Sequence, residues 1–217
     1  MLTDKEIREA ISNELMKIDP LEDQCLQPAS YDFRVGREAF LSSGTAKINL
    51  ENTGLAIIEP GEFAVLCTLE RVNCGPQIAG QIGLDSTYAR QGLNLLSGPQ
   101  VDPGFDGVLV VRVINLAPRR ITLTYGNPFL TVQFFKLAIP VEKPYSGSRQ
   151  SQTGLQSADI EELSNPDSPT LGGMVKSLAT LASDVGELKT SVKWMGWAIP
   201  VIVLVGMTVV GLVAVLK

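Results

Sequence analysis

Several periodicities divide the chain. Behind Thr3, the apolar residues Ile7, Ile11 and Leu15 recur at helical spacing, and Thr3 with Glu6 forms a capping box, so a short opening helix is expected. From about residue 31 to residue 137 the pattern changes to short β-rich runs at 62–72, 108–115, 120–125 and 129–137, separated by Pro-Gly, Asp-Pro-Gly and Tyr-Gly turns. Runs at this spacing predict an all-β barrel or sandwich over a head domain, residues 1–145. Beyond Pro144 the sequence turns to Ser, Gln, Gly and Asp, which predicts a loose polar arm and linker over 146–170.

Order is expected to return at Leu171. Leu171, Met174, Leu178, Leu181, Val185, Leu188 and Val192 alternate steps of three and four, a heptad seam with Lys176, Asp184, Glu187 and Lys189 outside it. Residues 171–193 therefore read as a short coiled-coil helix, too short to hold alone and dependent on a neighbour that already gathers the chains. Residues 194–216 carry no charge and are bracketed by Lys193 and Lys217. A helix of that length spans about 34 Å, enough for a hydrocarbon core of about 30 Å. Trp194 and Trp197 stand where an interfacial aromatic belt would lie, and Pro200 is tolerable in such a helix. The expectation is a single-pass C-terminal anchor in a lipid bilayer. The charged N-terminal residues lack a secretory signal's apolar run, so the head is expected on the cytoplasmic side.

Composition narrows the chemistry. The 217 residues include 18 Lys and Arg against 23 Asp and Glu, a net charge of −5, and form no basic stripe, which argues against nucleic acid as a partner. Histidine is absent, which removes Ser-His-Asp and Cys-His catalysis and every His-containing metal site. Cys25, Cys67 and Cys74 show no C-x-x-C spacing and read as inert thiols of a reducing compartment, so no metal site is expected.

Within the β-rich segment a series of motifs stands out. Gln27-Pro28-Ala29-Ser30-Tyr31-Asp32-Phe33-Arg34-Val35-Gly36 is similar to Q-P-x-S-x-D-x-R-x-G. Pro60-Gly61-Glu62-Phe63, Thr68-Leu69-Glu70-Arg71-Val72, the run from Ser86 to Leu93 and Val101-Asp102-Pro103-Gly104-Phe105-Asp106-Gly107 follow in order. Together they resemble the dCTP deaminase branch of the trimeric dUTPase-like family over about residues 1–155. The resemblance implies a mainly β fold, a distorted, jelly-roll-like dUTPase barrel. It further implies a homotrimer, with pyrimidine nucleotide sites where subunits meet. It also implies metal-independent deamination by a strand carboxylate, Mg²⁺ entering only with a triphosphate. The nucleotide-binding positions that carry over are Ser86, Thr87, Arg90, Ser97, Gly98, Asp102, Tyr145 and Gln152.

The sequence departs from the pattern at two places that matter. Asp85 stands where the phosphate motif has a basic residue, and Arg112 falls on the deaminases' catalytic glutamate. A guanidinium stays protonated and cannot serve as a general base, so Arg112 is read as inactivating. From the residues alone, Arg112 on an apolar strand face is an ion-pair partner of Asp85 or Asp102, a ligand-facing cation, or solvent-exposed. Pro144-Tyr145 and Gln152-Thr153-Gly154 resemble a C-terminal lid whose Lys and Tyr have become Ser148 and Arg149. The expectation is a membrane-anchored, non-deaminating homotrimer that senses nucleotides or serves as an assembly platform. The alternative is an active dUTP pyrophosphatase, using Asp102 to position water, or an active dCTP deaminase.

Overall fold

The structure, a computed structural model, describes residues 1–163, 177–178, 180–196, 200 and 206. It forms two units, residues 1–173 and 174–217.

In the first unit, helix α1 (Asp4–Ser12) begins as expected: the Glu6 N–H donates to the Thr3 hydroxyl, and the Glu6 carboxylate accepts from the Thr3 N–H at 2.8 Å. The helix buries Ile7 and Ala10 and ends before Leu15, whose carbonyl accepts from the Gly75 N–H. Strands β1 (Met16–Asp19), β2 (Leu26–Gln27), β3 (Ser30–Leu41) and β4 (Ile48–Asn49) follow, then α2 (Leu50–Thr53) and β5 (Leu55–Ile58). The long β6 (Phe63–Cys74) and β7 (Ile78–Leu84) precede the short α3 (Ser86–Gln91). The remainder is β8 (Leu93–Leu95), β9 (Gln100–Val101), β10 (Asp106–Asn115), β11 (Ile121–Thr124), β12 (Pro128–Lys136) and the single-turn α4 (Ser157–Glu161).

The strands form one all-antiparallel sheet in the order β8-β10-β6-β3-β12-β7-β9, with β1 added to β6 and both β2 and β4 to β3. A separate pair joins β5 to β11. The sheet closes on a core that contains Tyr31, Phe33, Phe129 and Phe134. Cys25, Cys67 and Cys74 are free and buried, and burial pushes the Cys74 thiol up to about 12.

A bulge in the middle of the sheet explains the glycine that ends the motif from Gln27 to Gly36. The register of β3 on β6 slips between Val35 and Ala39, and that of β10 on β6 slips between Val108 and Val110. At that point the buried Thr68 hydroxyl donates to the Glu70 carbonyl at 2.7 Å and accepts from the Leu109 N–H at 2.9 Å, replacing the ladder bonds the bulge removes. Gly36 is needed because β3 crosses here: a Cβ at this position would sit 2.3 Å from the Thr68 carbonyl oxygen, which is backbone and cannot swing away. Gly36→Ala is therefore expected to destabilise the head by about 3 kcal/mol or more, read as a lowered denaturation midpoint. A midpoint within experimental error of the parent would contradict this geometry.

In the second unit, residues 180–196 are helical; the coiled-coil segment expected at 171–193 lies partly outside the described residues. Among the described residues no helix is long and apolar enough to cross a membrane; the anchor expected at 194–216 lies for the most part outside them.

Candidate functional site

Arg112 sits in β10 with its backbone tied at both ends of the peptide unit. Its N–H donates to the Ser97 hydroxyl at 2.7 Å, and its carbonyl accepts from the Leu96 N–H at 2.8 Å. This fixes Ser97 and Gly98 beside it as the wall of a cleft of about 350 Å³, lined also by Val110, Arg149, Gln152, Asp159 and Glu162. The Arg112 guanidinium donates to the Glu162 carboxylate. The sequence pointed to Asp85 or Asp102 as its partner; both are committed elsewhere. Asp85 caps α3, accepting from the Thr87 N–H at 2.7 Å, and the Asp102 carboxylate accepts from the Gln100 amide at 2.5 Å.

The polar stretch expected to be loose supplies the cleft's other wall as far as Leu163. β8 covers one edge of β10 only over its last residues. The arm takes the beginning of that edge: the Ser151 N–H donates to the Asp106 carbonyl, the Val108 N–H to the Gln152 carbonyl, and the Gln152 amide to the Val108 carbonyl at 2.7 Å. Leu155, Ile160 and Leu163 pack with Phe40, Val65, Cys67 and Val108 into a second small core. Arg149 grips Asp159 with two hydrogen bonds of 2.7 and 2.6 Å. Burial alone would push the Asp159 carboxyl up; the bonds from Arg149 and the Gln156 N–H outweigh it and hold the group below its ordinary range. Tyr145 anchors the start of the arm, its ring edge-on to Phe105 at 5.7 Å and its N–H on the Pro103 carbonyl. Gly104, at φ +91, leaves room for Pro144 and Tyr145 that a Cβ would fill. Among the described residues, the Gln152 side-chain oxygen is a buried atom without a partner, and the bond from its amide to Val108 fixes which end is the oxygen.

The Arg71–Asp106 pair fastens the same end of β10 to β6, with two bonds of 2.7 Å. Those bonds hold the Asp106 carboxyl below its ordinary value of 3.8. A depressed acid contributes stability that is present above its unfolded value and lost as pH falls through its folded one. Asp106→Asn should thus cost about 1 kcal/mol near neutral pH, the pair being partly exposed, and progressively less at increasingly acid pH. Urea midpoints of parent and variant that stay equally far apart across this range would refute the assignment.

The phosphate-motif residues fall elsewhere. Ser86, Thr87 and Arg90 lie on α3 and are exposed, and Ser86 and Asp85 line a second, polar cleft of about 580 Å³ with Ser30, Asp32, Gln81 and Thr131. Asp32 accepts from the Thr131 hydroxyl at 2.7 Å, and burial pushes its carboxyl up. Among the described residues no group of three or more carboxylates or thiols could hold a metal ion, and Asp85 and Asp32 are already engaged by the Thr87 N–H and the Thr131 hydroxyl. The two clefts share no lining residue, and β6, β3 and β12 stand between β10 and β7 in the sheet. One chain therefore brings Ser97, Gly98, Arg112 and Gln152 together, groups Ser86 with Asp85 and Asp32, and leaves Asp102 and Tyr145 on neither lining. Glu162 and Asp159 were not singled out from the sequence; the apolar Leu155, Ile160 and Leu163 in a polar stretch were the available sign that the arm docks.

Known proteins resemble this chain over its head. The sequence model described as dCTP deaminase-like matches residues 1–137. A protein of Pyrococcus horikoshii named dCTP deaminase is 40% identical over 155 residues, covering 71% of this chain and 94% of the relative. One of Aquifex aeolicus named "dCTP deaminase, dUMP-forming" is 30% identical over 165 residues, covering 71% and 92%. The crystal structure of 2'-deoxycytidine 5'-triphosphate deaminase from Agrobacterium tumefaciens superposes with a TM-score of 0.51 at 18% identity, over 61% of this chain and 46% of that one, which supports the fold. The expectation of a head that does not deaminate finds no support in these relatives' names.

Proposed function

The chain belongs to the dCTP deaminase-like family, and from that premise we propose that its head binds a pyrimidine deoxynucleoside triphosphate, dCTP foremost, between copies of a homotrimer and deaminates the base. The separation of the clefts supports a shared site: the base-side residues of one copy would meet the phosphate-side residues of another. Ser86, Thr87 and Arg90 remain open to phosphate oxygens.

The observation that carries the reading is the Glu162 carboxylate on Arg112. The strand position that holds an arginine instead of a base is thereby given a proton acceptor from the arm. Glu162 would take a proton from water as the water oxygen adds to C4 of the ring. Of water's two protons, one ends on N3 and the other on the amine, which leaves as ammonia, while the oxygen stays as the C4 carbonyl. Arg112 would orient the carboxylate and face the developing charge. Residues 194–216 would tether the assembly to a bilayer, a reading supported by their uncharged sequence.

Arg112 itself favours a second reading, in which nucleotide is held unreacted and the head acts as a sensor or assembly platform. The test is a product assay on the full chain in detergent with dCTP or dUTP and Mg²⁺, the nucleotides separated by chromatography. Conversion of dCTP supports the first reading. Binding without product supports the second, dUTP cleavage lost on Asp102→Asn marks a pyrophosphatase, and binding of neither nucleotide overturns all three.

A further inference from the structure

The second unit presents an apolar helix face that is exposed among the described residues. Leu178, Leu181, Val185, Leu188 and Val192 are between 55% and 68% exposed, and their alternating spacing of three and four puts them on one side of the helix. We propose that this face is covered by the same segment of a second copy, packed parallel and in register as a coiled coil.

Two charges on the flanks of the seam choose both the occupant and its direction. With Leu178, Val185 and Val192 at the first core position of each heptad and Leu181 and Leu188 at the second, Asp184 falls just before a core position and Lys189 just after one. Five residues apart, they lie on opposite flanks and do not face each other within one helix. Between parallel neighbours, Asp184 of one helix meets Lys189 of the next, and the contact repeats at each seam of the assembly. In an antiparallel pair each flank meets the same flank of the other helix, so Asp184 and Lys189 stay on different sides of the seam and that contact is lost. The remaining described flank residues, Ser177, Ala182, Ser191 and Gly196, carry no charge, so no other ion pair replaces it. The seam is thus self-complementary in one orientation only. This inference uses nothing from the nucleotide clefts and stands or falls separately from them.

The test is oxidative cross-linking of the full chain in detergent, where the native cysteines are buried in the head. Leu188→Cys places a thiol on the seam, and Ser183→Cys places one on the outer face. The Leu188→Cys chain should give about fivefold or more disulfide dimer than the Ser183→Cys chain. Adding Asp184→Lys should cut that yield at low salt, and adding Lys189→Asp to the same chain should restore it. Equal yields at both positions, dimer at neither, or yields indifferent to charge reversal would each overturn the proposal.

Discussion

Arg34→Ala is expected to destabilise the head by about 3–5 kcal/mol, the cost of leaving a buried charge without its partner. Glu70 is fully buried, and its carboxylate accepts from the Arg34 N–H at 2.8 Å and from the Arg34 guanidinium at 2.5 Å. The bulge at Thr68 turns Glu70 toward β3, so the pair locks the two central strands where their ladder is interrupted. Removing the guanidinium leaves only the backbone bond. Burial pushes the Glu70 carboxyl up, while its bonds with Arg34 oppose that rise. For an acid whose folded value is raised, the associated stability is complete below the ordinary value and lost as pH rises through the folded one. The deficit of Arg34→Ala should therefore shrink as pH falls toward the ordinary glutamate range and widen toward neutrality. Replacing both partners, Arg34→Met with Glu70→Leu, should recover most of the loss, since two well-packed apolar groups need no counter-charge. Denaturant midpoints followed by the far-ultraviolet β signal measure all three variants. A loss below about 1 kcal/mol for Arg34→Ala at neutral pH would show that the pair does not hold the sheet.

That pair also shows where sequence reading stops. The motif from Gln27 to Gly36 was visible as a string, and the structure gives its members separate reasons: Tyr31 and Phe33 fill the core, Asp32 lines the polar cleft, Arg34 reaches Glu70, and Gly36 admits β6. None of these reasons is local. Strand runs and the capping box were legible because they depend on neighbours one to four residues away. The partner of Arg34 lies 36 residues on, and that of Arg112 lies 50 residues on, beyond any periodicity. Nearby carboxylates such as Asp85 and Asp102 were the natural candidates for Arg112, but each is held by a turn or cap of its own. The arm misled for a related reason: its polar composition suggests a solvated linker, while its order comes from a few contacts, Leu155, Ile160 and Leu163 on the sheet and Asp159 on Arg149.

Those contacts decide what Glu162 can be, and Glu162→Gln separates the two roles open to it. If the carboxylate accepts water's proton, the amide should lower dCTP turnover about 10²–10⁴-fold, the usual contribution of a general base, with little change in KM. A glutamine oxygen can still accept from the Arg112 guanidinium, so a residue that merely straps the arm down would tolerate the change. Asp159→Asn provides the contrast: it weakens the arm's bidentate tie to Arg149 but leaves the Glu162 carboxylate in place, so it should raise KM more than it lowers kcat. Glu162→Asp, which keeps the charge but shortens the reach, should fall between parent and amide. A Glu162→Gln chain that turns over dCTP as fast as the parent would remove the carboxylate from the chemistry. Equal turnover by both chains would place the base on another group, whereas a parent that binds dCTP and converts none would leave a head that holds nucleotide without transforming it, its strand position being a guanidinium that stays protonated.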